Sequence, residues 1–152
     1  MAPMQFSTHV SADATRTFDV FSDLRSADQR VGGIRKLEVL TDGPVGKGTR
    51  FKETRIMFGR EATETMEVSA FEPGKSYTVT CSSCGVAWST TFRFTPDGGG
   101  TRVDLEMVCR PLTFFARLMS PLGSLMAGSM KKCVEADMAD LRKYLETGAG
   151  KA

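Results

Sequence analysis

Hydrophobic and polar positions along this chain change period twice. Residues 4–10 alternate, with Phe6, Thr8 and Val10 against Gln5, Ser7 and His9, which predicts a strand. Ala14, Phe18, Phe21 and Leu24 then recur at helical spacing. Ser11 is placed to cap that helix, with Asp13 in its first turn, where a carboxylate suits the helix dipole. A second short turn is expected over about 26–31, ended by Gly32-Gly33. From Ile34 to Arg110 the period falls to two. Strands are expected at Ile34–Leu40, Thr49–Phe58, Glu61–Phe71, Tyr77–Ser83, Val86–Thr95 and Thr101–Arg110. Connections as short as Gly59-Arg60 and Pro73-Gly74 join successive strands as an antiparallel meander.

Alternation also assigns faces. One face takes Phe51, Glu53, Arg55 and Met57, then Glu64, Met66, Val68 and Ala70, then Tyr77, Val79 and Cys81. It continues through Trp88, Thr90, Phe92 and Phe94 to Val103, Leu105, Met107 and Cys109. The other face carries Lys52, Thr63, Thr65, Glu67, Arg93, Arg102, Asp104 and Glu106, so one face is wet and the other covered. A bulge in either strand would turn Glu53, Arg55 and Glu64 to solvent.

The cover comes after Pro111. Pro121 is expected to break this helical segment into 112–120 and 122–146. The second piece, about 37 Å long at 1.5 Å per residue, places Met126, Met130, Cys133, Val134, Leu141, Tyr144 and Leu145 on one side. Lys131, Lys132, Glu135, Asp140, Arg142, Lys143 and Glu146 fall on the other. The expected product is one α+β domain over residues 1–152, in which a curved seven-stranded antiparallel sheet is covered by a long C-terminal helix, with two short helices after the first strand.

Composition narrows the function classes. A chain of 152 residues suits one domain and needs no disulfide or metal to fold. Net charge is +2, from 20 basic residues interleaved with 18 acidic ones, which makes no case for a nucleic-acid partner. The opening MAPMQFSTHV lacks the apolar core of a signal peptide, so a cytoplasmic location with free thiols is expected. The most apolar stretch, 112–128, falls short of a membrane span and contains Arg117 and Pro121.

The order of elements and several motifs resemble the START-like superfamily, also described as polyketide cyclase/dehydrase and lipid transport. The resemblance lies in Phe6-x-x-x-Val10-Ser-Ala followed by Phe18-x-x-Phe21-Ser22-Asp23, and in Gly46-Lys47-Gly48-Thr49-Arg50-Phe51. It continues in Glu67-Val68-x-x-Phe71-Glu72-Pro73-Gly74, Thr91-Phe92-Arg93-Phe94-Thr95-Pro96 and Gly100-Thr101-Arg102-Val103. It spans nearly the whole chain and implies the helix-grip fold, with a cavity between sheet and helix for hydrophobic or amphipathic ligands. Members include carriers, sensors and cyclases. The stretch Ala27–Gly33 lacks the proline and aromatic that members often carry there, which implies a differently shaped cavity mouth.

Asp137 is the most informative single residue. It falls within the apolar arc of the long helix, between Cys133 and Leu141, where a carboxylate must take up a proton or find a partner. Arg55 is the natural partner by charge. The alternatives are a structural, solvated rim position and a polar anchor inside an apolar pocket. Met57, Met66, Met107, Met119, Met126 and Met130 map to inward faces, where thioethers either fill a core or adapt to a ligand. Phe51, Tyr77, Trp88, Phe92 and Cys133 read the same way: core first, pocket lining second.

Other motifs carry less. Cys81-Ser82-Ser83-Cys84 is a lone pair of thiols without zinc partners, since the single histidine, His9, lies on a distant strand and faces out. The same histidine cannot complete a nucleophilic triad, and Gly46-Lys47-Gly48-Thr49 lacks the spacing of a phosphate loop, reading instead as a flexible rim. No metal or cofactor is called for. Residues 112–126 are apolar on nearly all sides and flanked by Arg110, with Arg117 among them. They are expected to form a gate packed on the Gly46–Gly48 loop and the first helix, with a dimer contact or membrane docking as alternatives, so the chain is a monomer or homodimer.

Two functions follow. One is non-catalytic binding of a small hydrophobic molecule such as a lipid, isoprenoid or polyketide, favoured by the Met-rich inner face. The other is a cyclase or dehydratase using Asp137, Glu53 or Arg55 as acid, base or electrostatic clamp.

Overall fold

The computed structural model describes residues 3–57, 59–83 and 85–148; for Met57 and residues 120–126 it describes the backbone only. Strands β1 (Met4–Val10), β2 (Ile34–Val39), β3 (Arg50–Met57), β4 (Arg60–Glu72), β5 (Ser76–Ser83), β6 (Val86–Asp97) and β7 (Gly100–Pro111) form one open antiparallel sheet, ordered β1-β7-β6-β5-β4-β3-β2. Six of these strands follow one another as a meander, and β1 closes onto the far side of β7. The chain therefore crosses from one sheet edge to the other between Val10 and Ile34. Helix α1 (Ala14–Ser22), a 3-10 turn (Leu24–Ser26) and α2 (Ala27–Arg30) make that crossing. Helices α3 (Phe114–Leu118) and α4 (Ser120–Thr147) complete the chain.

Local chemistry moves some boundaries from their expected places. Asp13, not Ser11, caps α1, its carboxylate accepting from the Arg16 N–H at 2.9 Å. An extended Asp13 supplies the oxygen that the first turn lacks. The C-terminal break falls at Met119 and not at Pro121, because Pro121 sits in the first turn of α4, where its missing N–H has no partner to lose. Gly148, at φ +72°, ends the helix in the left-handed conformation and donates to the Tyr144 carbonyl.

Among the described residues the sheet faces follow the expected alternation except at two register shifts, one between Ile34 and Lys36 in the β2–β3 pairing, which leaves Ile34 and Leu37 both buried, and one in β4. Between Val68 and Ala70 the β4–β5 register shifts, so Phe71, opposite Tyr77, turns inward. Ala70, expected inside, is exposed. No shift interrupts β3–β4, where Phe51 faces Met66 and Glu53 faces Glu64, so Glu53, Arg55 and Glu64 stay on the inner side.

The core lies toward one end of the sheet. Phe18 meets Phe71, Tyr77 and Phe94 edge-on at centroid distances of 5.2, 5.8 and 5.3 Å, and Tyr77 stacks on Phe92 at 4.7 Å. Each such pair adds about 0.5–1.5 kcal/mol beyond its buried area. Val134, Met138, Leu141 and Leu145 bring α4 into the same core. Met138, absent from the expected arc, lies on it; Cys133, expected on it, is exposed. The buried line runs along 134, 138, 141 and 145, and Cys133 is one helical step of about 100° away from it. At Gly100 the strands approach so closely that a Cβ would stand 2.5 Å from the Val10 carbonyl oxygen.

Candidate functional site

Burial on the inner face declines along the strands. Val103, Leu105, Phe94 and Tyr77 are buried, whereas Met107, Thr90, Val79, Cys109, Trp88, Cys81 and Met66, further along β7, β6, β5 and β4, are half-buried. The half-buried set lies toward the edge formed by the β3–β4 and β5–β6 hairpins and the end of β7, since meander pairing brings these three together. Thioether, thiol and indole groups supply most of this surface.

A charged cluster borders it. Arg55 donates from Nη1 and Nη2 to both Asp137 carboxylate oxygens, at 3.1 and 2.7 Å, and from Nε to Glu53. Side-chain exposures of 21% for Arg55, 25% for Asp137 and 12% for Glu53 place the three at a rim, neither sealed nor free in solvent. Glu64, the cross-strand neighbour of Glu53, accepts from the Cys81 thiol at 3.6 Å. Glycine permits the geometry: a Cβ on Gly33 would stand 3.1 Å from Arg55 Nη1 and 3.5 Å from Asp137 Oδ1.

Burial pushes the Asp137 carboxyl above its ordinary value; the paired Arg55 offsets this only in part, and Asp140 adds to it. Burial disfavours the Arg55 cation, but its hydrogen bonds and attraction to Asp137 and Glu53 hold it firmly charged. The Cys81 thiol is pushed up to about 11, by burial first and then by Glu64 and Glu53. Cys109 is also raised by burial.

The last part of α4 is fastened in several places. Asp140 accepts from the Gly32 N–H at 2.8 Å, and the Arg30 guanidinium lies 4.3 Å over the Tyr144 ring while pairing with Asp23. Glu146 accepts from the Ser11 N–H. Sequence reasoning places Tyr144 on the apolar arc and Asp140 on the wet side, and so misses this clamp. Gly32-Gly33, just before β2, is its visible signal.

The expected site residues divide. Arg55, Glu53 and Asp137 come together, and Met66, Trp88, Phe92, Met107 and Met130 are half-buried. Phe51 and Tyr77 are sealed in the core, the Tyr77 hydroxyl donating to the Phe21 carbonyl with its phenol pushed up by burial. Met119 is exposed at the end of α3, and Cys133 faces outward. The side chains of Met57 and Met126 lie outside the described residues, as does Cys84. Residues 112–119 are not packed on the Gly46–Gly48 loop or α1. They follow β7, with the Leu112 N–H donating to the Gly85 carbonyl and Phe114, Phe115 and Leu118 exposed. The Gly46–Gly48 loop is tied to β4 by the Gly48 N–H and the Val68 carbonyl.

A depression of about 350 Å³ lies elsewhere, between α1 and the Gly43–Val45 loop, and none of the expected site residues lines it. Among the described residues no group of three or more His, Cys, Asp and Glu side chains is placed to hold a metal, and no helix is long and apolar enough to cross a membrane.

The solved structures similar to this chain share its fold. TTHA0849 from Thermus thermophilus superposes with a TM-score of 0.77 at 18% identity, covering 98% of this chain and 100% of that one. Ara h 8.0201 gives 0.76 at 14% identity over 95% and 97% of the two chains. The di-domain ARO/CYC StfQ of the steffimycin biosynthetic pathway gives 0.77 at 11% identity, over 95% of this chain and 50% of its own. No curated protein matches the chain by sequence. These likenesses establish the helix-grip arrangement. The family model for polyketide cyclase / dehydrase and lipid transport matches residues 1–146, and the chain belongs to that family.

Proposed function

We propose that this protein binds a small amphipathic molecule between the half-buried end of the sheet and the first half of α4. The observation that carries this reading is the burial gradient on one continuous sheet face, from the sealed Tyr77 and Phe94 to the half-buried Trp88, Met107, Cys81 and Met66. Apolar groups left half-covered opposite a helix are the usual lining of a ligand site. The family supports a hydrophobic ligand.

The charged cluster favours a particular polar end. Three carboxylates, Glu53, Glu64 and Asp137, stand near one guanidinium, and Arg55 is already engaged by two of them. An incoming anion meets repulsion there, whereas a hydroxyl finds acceptors. The ligand's polar end is therefore a hydrogen-bond donor, such as an alcohol or phenol.

Trp88 is the only tryptophan and lies on the proposed surface, so its emission reports occupancy. Titration with a long-chain alcohol is expected to shift that emission and to saturate at lower concentration than the matching fatty acid. Unchanged emission with both, together with no co-purifying small molecule in native mass spectrometry of protein from its own host, would defeat the proposal. A cyclase or dehydratase is the second reading. The raised Asp137 carboxyl favours it, as a group able to hand over a proton nearer neutral pH than an ordinary carboxyl.

A further inference from the structure

We infer that α3 and the adjoining end of β7 form a docking surface for an anionic lipid bilayer. This goes beyond the ligand reading and does not depend on it. Phe114, Phe115 and Leu118 are 83%, 69% and 65% exposed, and Leu112 and Met119 beside them are also exposed. Consecutive large apolar residues left in water on one short element are not an ordinary surface.

The element is formed, not loose. The Thr113 hydroxyl caps α3 by accepting from the Ala116 N–H at 3.1 Å, and the Leu112 N–H is bound to the Gly85 carbonyl at 2.7 Å. The phenylalanines are thus presented on an ordered turn at the edge of the sheet. Ile56, near the β3–β4 hairpin at the same edge, is exposed too.

Charge selects the occupant. From Met107 to Val134 the sequence contains Arg110, Arg117, Lys131 and Lys132 and no carboxylate, although acidic and basic residues are nearly balanced in the chain as a whole. All four cations are exposed. Arg117 on the apolar turn and Arg110 at the adjoining strand end match a bilayer whose headgroups are anionic and whose acyl boundary accepts the rings; Lys131, paired with Glu135, and Lys132 lie further along α4. A second copy fits less well, because a two-fold interface through α3 would bring together two surfaces that each carry Arg110 and Arg117, in a stretch that supplies no carboxylate to pair them.

The test is co-sedimentation of the full chain with vesicles of phosphatidylcholine alone and of phosphatidylcholine with phosphatidylserine. Binding is expected to the serine-containing vesicles and to weaken with salt. Phe114→Ser with Phe115→Ser is expected to lower that binding about tenfold or more, and Arg110→Gln with Arg117→Gln about fivefold per residue. Circular dichroism should match the wild type for both variants, since the replaced side chains are exposed. Failure of the wild type to bind serine-containing vesicles overturns the inference, as does binding that the phenylalanine variant leaves unchanged. A dimer in sedimentation velocity that this variant dissociates, without vesicle binding, would overturn it too and assign α3 to a second copy instead.

Discussion

Arg55 on β3 holds Asp137 on α4 through two parallel hydrogen bonds, and this pair ties the cover to the sheet at the border of the half-buried face. Pairs at this depth lie between surface bridges and buried ones in strength. Asp137→Asn or Arg55→Met alone is expected to cost about 1–3 kcal/mol, because the first leaves the half-desolvated Arg55 with Glu53 alone and the second leaves Asp137 and Glu53 without their cation. The double change Arg55→Met with Asp137→Asn should cost less than the two single effects combined. Urea unfolding of wild type, both single variants and the double variant measures the coupling, and strict additivity would show that the pair contributes nothing. Asp137→Leu is further expected to alter selectivity between alcohols and acids more than it harms the fold.

Two carboxylates of α4 respond to acid in opposite senses. Asp137 is raised above its ordinary 3.8 by burial, so the folded chain holds that proton more tightly than the unfolded chain. Its contribution is present at low pH and is lost as pH climbs from that ordinary value through the raised one. Glu146 is lowered from 4.5 by the Ser11 N–H and by Arg142, so its contribution is present above the ordinary value and lost as pH falls through the lowered one. Relative to wild type, Asp137→Asn should gain stability with rising pH and Glu146→Gln should lose it. Chemical unfolding across the acid range reads both slopes, and slopes of the same sign would refute one assignment.

The thiols should separate by position. Iodoacetamide near neutral pH is expected to modify exposed Cys133 ahead of Cys81 and Cys109. Cys81, held up to about 11, should react about a hundredfold more slowly than an unperturbed thiol, since only the thiolate attacks. A ligand on the half-buried face should protect Cys81 and Cys109 while leaving Cys133 unchanged. Peptide-resolved mass spectrometry follows each site, and equal protection of Cys133 would place the ligand elsewhere.

Gly100 tests the seam between β1 and β7. An added methyl would press on the Val10 carbonyl and the His9 ring. Gly100→Ala is expected to cost about 1–3 kcal/mol by overpacking. Thermal unfolding measures it, and an unchanged midpoint would mean that the strands separate there freely.

Much of this is legible in residue order. Alternation along Phe51, Glu53 and Arg55 and helical spacing around Asp137 bring the ion pair into view before any coordinates, because opposite charges on two inward faces have few other partners. The bulge at Val68–Ala70 is not legible: one extra residue in a strand changes no composition, and only the identity of Phe71 hints that the pattern has slipped. Cys133 and Met138 exchange places for a similar reason, since a small error in the assumed arc direction moves one residue in and another out. The exposure of α3 depends on where β7 ends against the β5–β6 turn, a tertiary relationship that no local pattern encodes.

The rings of Phe18, Tyr77, Phe92 and Phe94 interlock beneath the half-buried face. Interlocked rings have no spare rotamers into which to retreat, so the lower sheet acts as the stop of a depth gauge. In the binding mode proposed above, a guest lengthens toward the hairpin edge, and its chain length is measured from that stop.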